Sequence, residues 1–134
     1  MLALQYPGRW KLAGLVLPVF VLAMALAPAF WSWPSSARPG LIELDKVGHG
    51  LTFAFLALWY TGQYARNQYF RIALALAAYG ALIELLQSFL PYRSAEFADF
   101  VADAIGILGG IVMAQWFAGG WSIRAENWLG SRIG

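Results

Sequence analysis

An all-α, four-helix transmembrane bundle is the fold class that the sequence predicts, and three observations predict it. Hydrophobic residues make up 60% of the chain and charged ones only 12%, whereas about a quarter of the residues in soluble globular domains are charged. Four apolar stretches are each long enough, at about 1.5 Å per residue, to cross a hydrocarbon core of about 30 Å. The few ionisable groups inside those stretches recur at helical spacing, three or four residues apart. A single membrane domain, residues 1–134, is therefore expected, with a short amphipathic tail after the last helix.

The first helix is expected over Leu12 to Trp31. Arg9, Lys11 and the sequence Ala25-Leu26-Ala27 imitate a secretory signal. The apolar run of about 20 residues exceeds a signal core of roughly 7 to 15, and Pro28 would follow the cut, so a retained helix is expected. The other helices are placed at Lys46 to Tyr64, Phe70 to Leu90 and Phe97 to Ala118. Trp10, Trp31, Trp33, Tyr64, Tyr69, Tyr92 and Trp116 fall at the predicted ends, where amphipathic rings prefer the headgroup region. Pro34 to Gly40 has the turn chemistry of an outer loop, because its two prolines lack N–H donors and its glycine tolerates unusual dihedrals. After the fourth helix, Trp121, Ala125, Trp128, Leu129 and Ile133 recur at near-helical spacing, with Arg124, Glu126 and Asn127 off the stripe, as in an interfacial helix.

Orientation follows from Lys and Arg, which are in excess in cytoplasmic connections. Arg9, Lys11, Arg66, Arg71, Arg124 and Arg132 lie on one side, against Arg38, Lys46 and Arg93 on the other, so both termini are expected in the cytoplasm. The chain has no cysteine, which excludes disulfides and thiolate chemistry. Its formal net charge of +2, carried by scattered residues, excludes a nucleic-acid footprint. The expected partners are membrane lipids and a lipid-linked envelope ligand; the oligomeric state is not legible.

The informative residues are ionisable groups within apolar helices, because a charge at the bilayer centre costs about 2.5 to 3.5 kcal/mol on insertion scales. Asp45, Lys46 and His49 open the second helix, Glu84 and Gln87 close the third, and Asp99 and Asp103 open the fourth, so all reach one depth toward the outer side. The spacing puts each set on one helix face. The faces are expected to converge so that His49, Glu84 and Asp99 share a pocket, with Arg93 over its mouth. Gly106 and Gly110 form a small-xxx-small pair that admits a close helix neighbour. Oxygen ligands plus one imidazole would suit a hard or borderline divalent cation, but no H-E-x-x-H spacing occurs, and neither a metal nor any other cofactor is assigned from the sequence.

The elements Asp45-Lys46-x-x-His49, Glu84-x-x-Gln87 and Arg93-x5-Asp99, followed by Asp103 and Gly106, resemble the VanZ-like family over about residues 45–110. These are small bacterial membrane proteins, named for a member linked to teicoplanin resistance. The resemblance implies multi-pass placement in the bacterial cytoplasmic membrane and implies no reaction. One departure is visible: Asp103 stands where the family usually has Asn, which adds an acid to the cluster.

Three functions fit these residues. The first is a protein that binds or modulates an envelope ligand, lipid-linked or glycopeptide-related, through an outward-facing polar pocket. The second is an intramembrane hydrolase or transferase with His49, Glu84 and Asp99 as candidate catalytic groups; no serine or cysteine nucleophile accompanies them, so it would work through activated water. The third is a small proton-coupled exporter, disfavoured because the acids lie toward one face and transporter sites lie near the midplane.

Overall fold

The computed structural model describes residues 1–27, 39–91 and 96–133, with the side chains of 39–45 and 132–133 excepted. Residues 34–38 of the predicted outer loop, the side chain of Asp45 and all of Arg93 therefore lie outside the described residues, whereas Pro39 and Gly40, expected in that loop, open a helix expected only from Lys46. Five helices and no strands are present among those described: α1 Pro7–Leu26, α2 Pro39–Gln63, α3 Tyr69–Gln87, α4 Phe97–Met113 and α5 Trp121–Ile133. A 3-10 turn, Arg66–Gln68, leads into α3, and a π turn, Ala114–Ala118, extends α4. Three helical stretches are long and apolar enough to cross a membrane: Pro7–Leu26, Arg66–Gln87 and Phe97–Ala118.

The first helix departs from expectation at both ends. It starts at Pro7, because proline presets the helical φ and its missing N–H is one that the first turn leaves unbonded anyway. It stops at Leu26 rather than running to Trp31, and Ala27 is extended at ψ 125°. The ring of Pro28 excludes the helical conformation from the residue before it. Pro18, inside α1, supplies no N–H to the carbonyl of Gly14 one turn earlier. The Tyr60 hydroxyl of α2 donates to that carbonyl instead, at 2.6 Å. Tyr79 of α3 donates to the carbonyl of Pro18 at 2.5 Å. Tyr60→Phe should thus leave a buried acceptor unmet and lower stability by about 1 to 3 kcal/mol, read as the unfolding midpoint in detergent.

The core is built by Phe53, Leu56 and Ala57 of α2, Leu76 and Ile83 of α3, and Ile107 and Ile111 of α4. α4 shows how the molecule is turned inside out relative to a soluble protein. Phe97, Val101, Ile105, Leu108, Val112 and Trp116 form an exposed stripe at helical spacing, while Asp99, Asp103, Gly106 and Gly110 are buried on the opposite face. Such an apolar exterior suits a lipid solvent. Gly106 and Gly110 make the predicted close helix contact: a Cβ on Gly106 would collide with the carbonyl of Gly50, and one on Gly110 would lie 2.6 Å from the carbonyl oxygen of Ala54.

Both ends of the chain meet at one end of the bundle. Of the last carbonyls of α2, which a helix leaves unbonded, that of Gln63 accepts from the Leu2 N–H at 2.8 Å and that of Gly62 from the Ser122 hydroxyl, while the Trp121 indole donates to the carbonyl of Leu58, one turn earlier, at 2.9 Å. α5 reaches this position because the Gly119 N–H closes the π turn on the carbonyl of Ala114, and Gly120 then adopts φ +68°. Its predicted amphipathic character is present, with Trp128 and Leu129 exposed, but Ser122 and Glu126 turn inward. Glu126 accepts from the backbone N–H groups of Gln5 and Tyr6, at 2.6 and 3.0 Å, and from the Trp10 indole at 2.8 Å. It thereby supplies the anion that the start of α1 favours.

Burial alone would raise the Glu126 pKa, but these three donors outweigh it and hold the carboxyl below its ordinary value of 4.5. An acid whose folded pKa is depressed contributes its full stability above the unfolded value and loses it as pH falls through the folded one. The Trp10 indole N–H resonance should therefore stay constant from neutral pH down to about 4.5 and move below that, a step that Glu126→Gln should abolish.

Candidate functional site

The polar residues gather at the opposite end of the bundle, where α2 and α4 begin and α3 finishes. The glycine contact of α2 with α4 brings their backbones together, so side chains at equal height face one another. Two tiers result, one helical turn apart, or about 5 Å. In the outer tier the Lys46 ammonium lies 2.8 Å from Glu96 Oε2 and 3.7 Å from Asp99 Oδ1. In the inner tier His49 Nδ1 lies 2.9 Å from Asp103 Oδ1. Glu84 enters the inner tier from α3, and one ligand-capable atom from each of His49, Glu84 and Asp103 lies within 4.8 Å of the others.

The inner tier is shielded from water. Asp103 is 1% exposed. Both carboxylate oxygens of Glu84 and Oδ2 of Asp103 are buried without a hydrogen-bond partner. The backbone N–H of Glu96 faces Glu84 but does not reach hydrogen-bond geometry. Gly80, one turn before Glu84, provides room for this arrangement, because a Cβ there would stand 2.8 Å from Asp103 Oδ2.

The expected residues are thus distributed more finely than their spacing indicates. His49, Glu84 and Asp103 bring ligand-capable atoms together, and Asp99, beside Lys46, also stands close enough to Glu84 for their charges to interact. His49 takes Asp103 as its carboxylate because the two occupy the same height across the α2/α4 contact. Gln87 is fully buried, but its amide donates to the carbonyl of Ala25 at 3.0 Å and so secures the end of α1. Glu96 is the participant that the sequence reading passed over. Its position at the N-cap of α4, three residues before Asp99, is the signal that could have found it.

A cavity of about 270 Å³ adjoins the inner tier. Its walls are Phe20, Met24 and neighbours on α1, Ile83 on α3, and Gly48, His49, Thr52 and Phe53 on α2. A carboxylate beside an imidazole fixes the orientation of the ring, and a second carboxylate in reach equips the group to hold a cation. A larger cavity, about 550 Å³, lies at the other end beside Trp10, Trp59 and Leu129. The charged side chains in its wall are already engaged, Arg9 over the Tyr6 ring and Glu126 with three N–H donors.

A model of the VanZ/LLP1 family matches residues 8–118. No curated protein and no solved structure matches the chain. The family match takes in α1 to α4 with every member of both tiers, and the three apolar helices agree with a membrane protein. The chain belongs to the VanZ/LLP1 family.

Proposed function

We propose that this VanZ-like protein is a multi-pass protein of the bacterial cytoplasmic membrane that binds or modulates a lipid-linked or glycopeptide-related envelope ligand through a polar pocket open to the outer side. The observation that carries the reading is the convergence of His49, Glu84 and Asp103 from three helices, beside a cavity and at the end of the bundle away from both termini. Intramembrane ionisable groups are expensive and accordingly point to function.

In this reading α2 is the fourth span. Its 25 residues give about 37 Å, enough to cross. Its polar groups Lys46 and His49 turn toward α4 rather than lipid. The six-to-three division of Lys and Arg puts the termini in the cytoplasm and the cluster outside. Reporter fusions at Gly134 and near Ser36 test this; an extracytoplasmic signal at Gly134 with silence near Ser36 contradicts it.

Glu84→Gln and Asp103→Asn keep shape while removing charge. Both should accumulate in the membrane yet lose the cellular effect, measured as susceptibility to a lipoglycopeptide beside membrane abundance. Full phenotype in both at normal abundance would sink the pocket reading.

A further inference from the structure

We propose that His49, Glu84 and Asp103 bind one divalent first-row transition-metal cation, Zn²⁺ or Mn²⁺, within the bundle. This deepens the pocket reading by fixing the chemistry of its polar wall, and it stands on observations of its own.

The first observation is the donor set. One imidazole and two carboxylates arrive from α2, α3 and α4, with a ligand-capable atom of each inside 4.8 Å of the others. Metal–ligand bonds of about 2.0 to 2.2 Å in a tetrahedral shell place neighbouring ligand atoms about 3.3 to 3.6 Å apart. The widest pair must therefore close by about 1.2 to 1.5 Å, a shift that side-chain torsions can supply. The 2.9 Å separation of His49 Nδ1 and Asp103 Oδ1 suits adjacent positions on one ion. The imidazole selects against Ca²⁺ and Mg²⁺, which take oxygen alone, while the carboxylates suit Zn²⁺ and Mn²⁺.

The second observation is independent of spacing. Glu84 Oε1 and Oε2 and Asp103 Oδ2 are buried with no hydrogen-bond partner, and Asp103 is 1% exposed. Buried polar atoms are ordinarily paired, and carboxylates removed from water are retained when paired with a cation or bound to a metal. The Lys46 ammonium is engaged with Glu96 and Asp99 in the outer tier. A cation among His49, Glu84 and Asp103 would satisfy these oxygens at once. Gly80 keeps the space beside Asp103 Oδ2 clear, as a site with a defined volume requires. Three protein ligands leave positions for water or an oxyanion, with the cavity against His49 as the adjoining space.

The test uses the full chain purified in detergent, stripped with a chelator, then dialysed against Zn²⁺ or Mn²⁺. The expected result is one equivalent retained per chain and a raised unfolding midpoint, with Zn²⁺ held more tightly than Mn²⁺. Glu84→Gln and Asp103→Asn should each weaken binding by about 100-fold or more, at least as much as loss of an outer-shell partner does. Pulsed EPR of the Mn²⁺-loaded wild type decides the matter if the variants do not fold, because His49 is the chain's one histidine and must appear as a single imidazole ¹⁴N coupling. No retained metal and an unchanged midpoint, or bound Mn²⁺ without that coupling, would overturn the proposal. Loss of phenotype in Glu84→Gln with no metal in the wild type rejects the metal and leaves the pocket reading standing. Metal bound in the wild type and unchanged phenotype in the variants does the reverse.

Discussion

Gly106→Ala should destabilise the protein by about 1 to 3 kcal/mol, because the added methyl overpacks the close backbone contact of α2 with α4. Its Cβ would collide with the backbone of Gly50, which cannot rotate out of the way as a side chain can. α2 and α4 must separate, and His49, next to Gly50, must withdraw from Asp103. The variant should accumulate poorly and unfold at lower temperature in detergent. Gly109→Ala is the matched control, since nothing lies within 4 Å of a Cβ there. It should be neutral or stabilising by up to about 1 kcal/mol, the difference in helix propensity. Equal midpoints for the two variants would show that α2 and α4 do not meet through Gly106.

Removing the imidazole should be costlier still. His49→Leu leaves Asp103 buried opposite an apolar side chain and Glu84 beside it, and breaking a buried pair from one side costs about 3 to 5 kcal/mol. Adding Asp103→Leu should recover part of that loss, since replacing both partners of a buried pair by apolar groups is often near neutral. Unfolding midpoints of the two single variants and the double variant give the coupling directly. Strict additivity would mean that the two side chains do not interact, as expected of residues without a shared contact.

What the sequence discloses here depends on how far apart the cooperating residues lie. The buried and lipid-facing stripes of α4 are legible, because both are periodic within one helix and charge cannot face lipid. The small-residue contact at Gly106 and Gly110 is legible for the same reason. The end of α1 was readable from Pro28, but the apolar run beyond it masked the restriction that proline places on Ala27.

The partner of His49 was not readable. Asp99 and Asp103 share one face, and the choice between them is made by the height at which α2 and α4 pack, a property of two helices about 50 residues apart in the chain. Glu126 was hidden more deeply: its donors Gln5, Tyr6 and Trp10 stand at the other end of the chain, and nothing in α5 signals that its one acid points inward.

The central claim is that His49, Glu84 and Asp103 form one site inside the bundle, and the single histidine of the chain makes it directly measurable. The measurement is the imidazole ¹⁵N spectrum of histidine-labelled protein in lipid, recorded for the wild type, Asp103→Asn and Glu84→Gln. A contact at 2.9 Å to Asp103 and a carboxylate of Glu84 in the same group predict that the Nδ1 resonance moves in both variants and most in Asp103→Asn. One unchanged imidazole spectrum across all three proteins, each folded and inserted, would contradict the account.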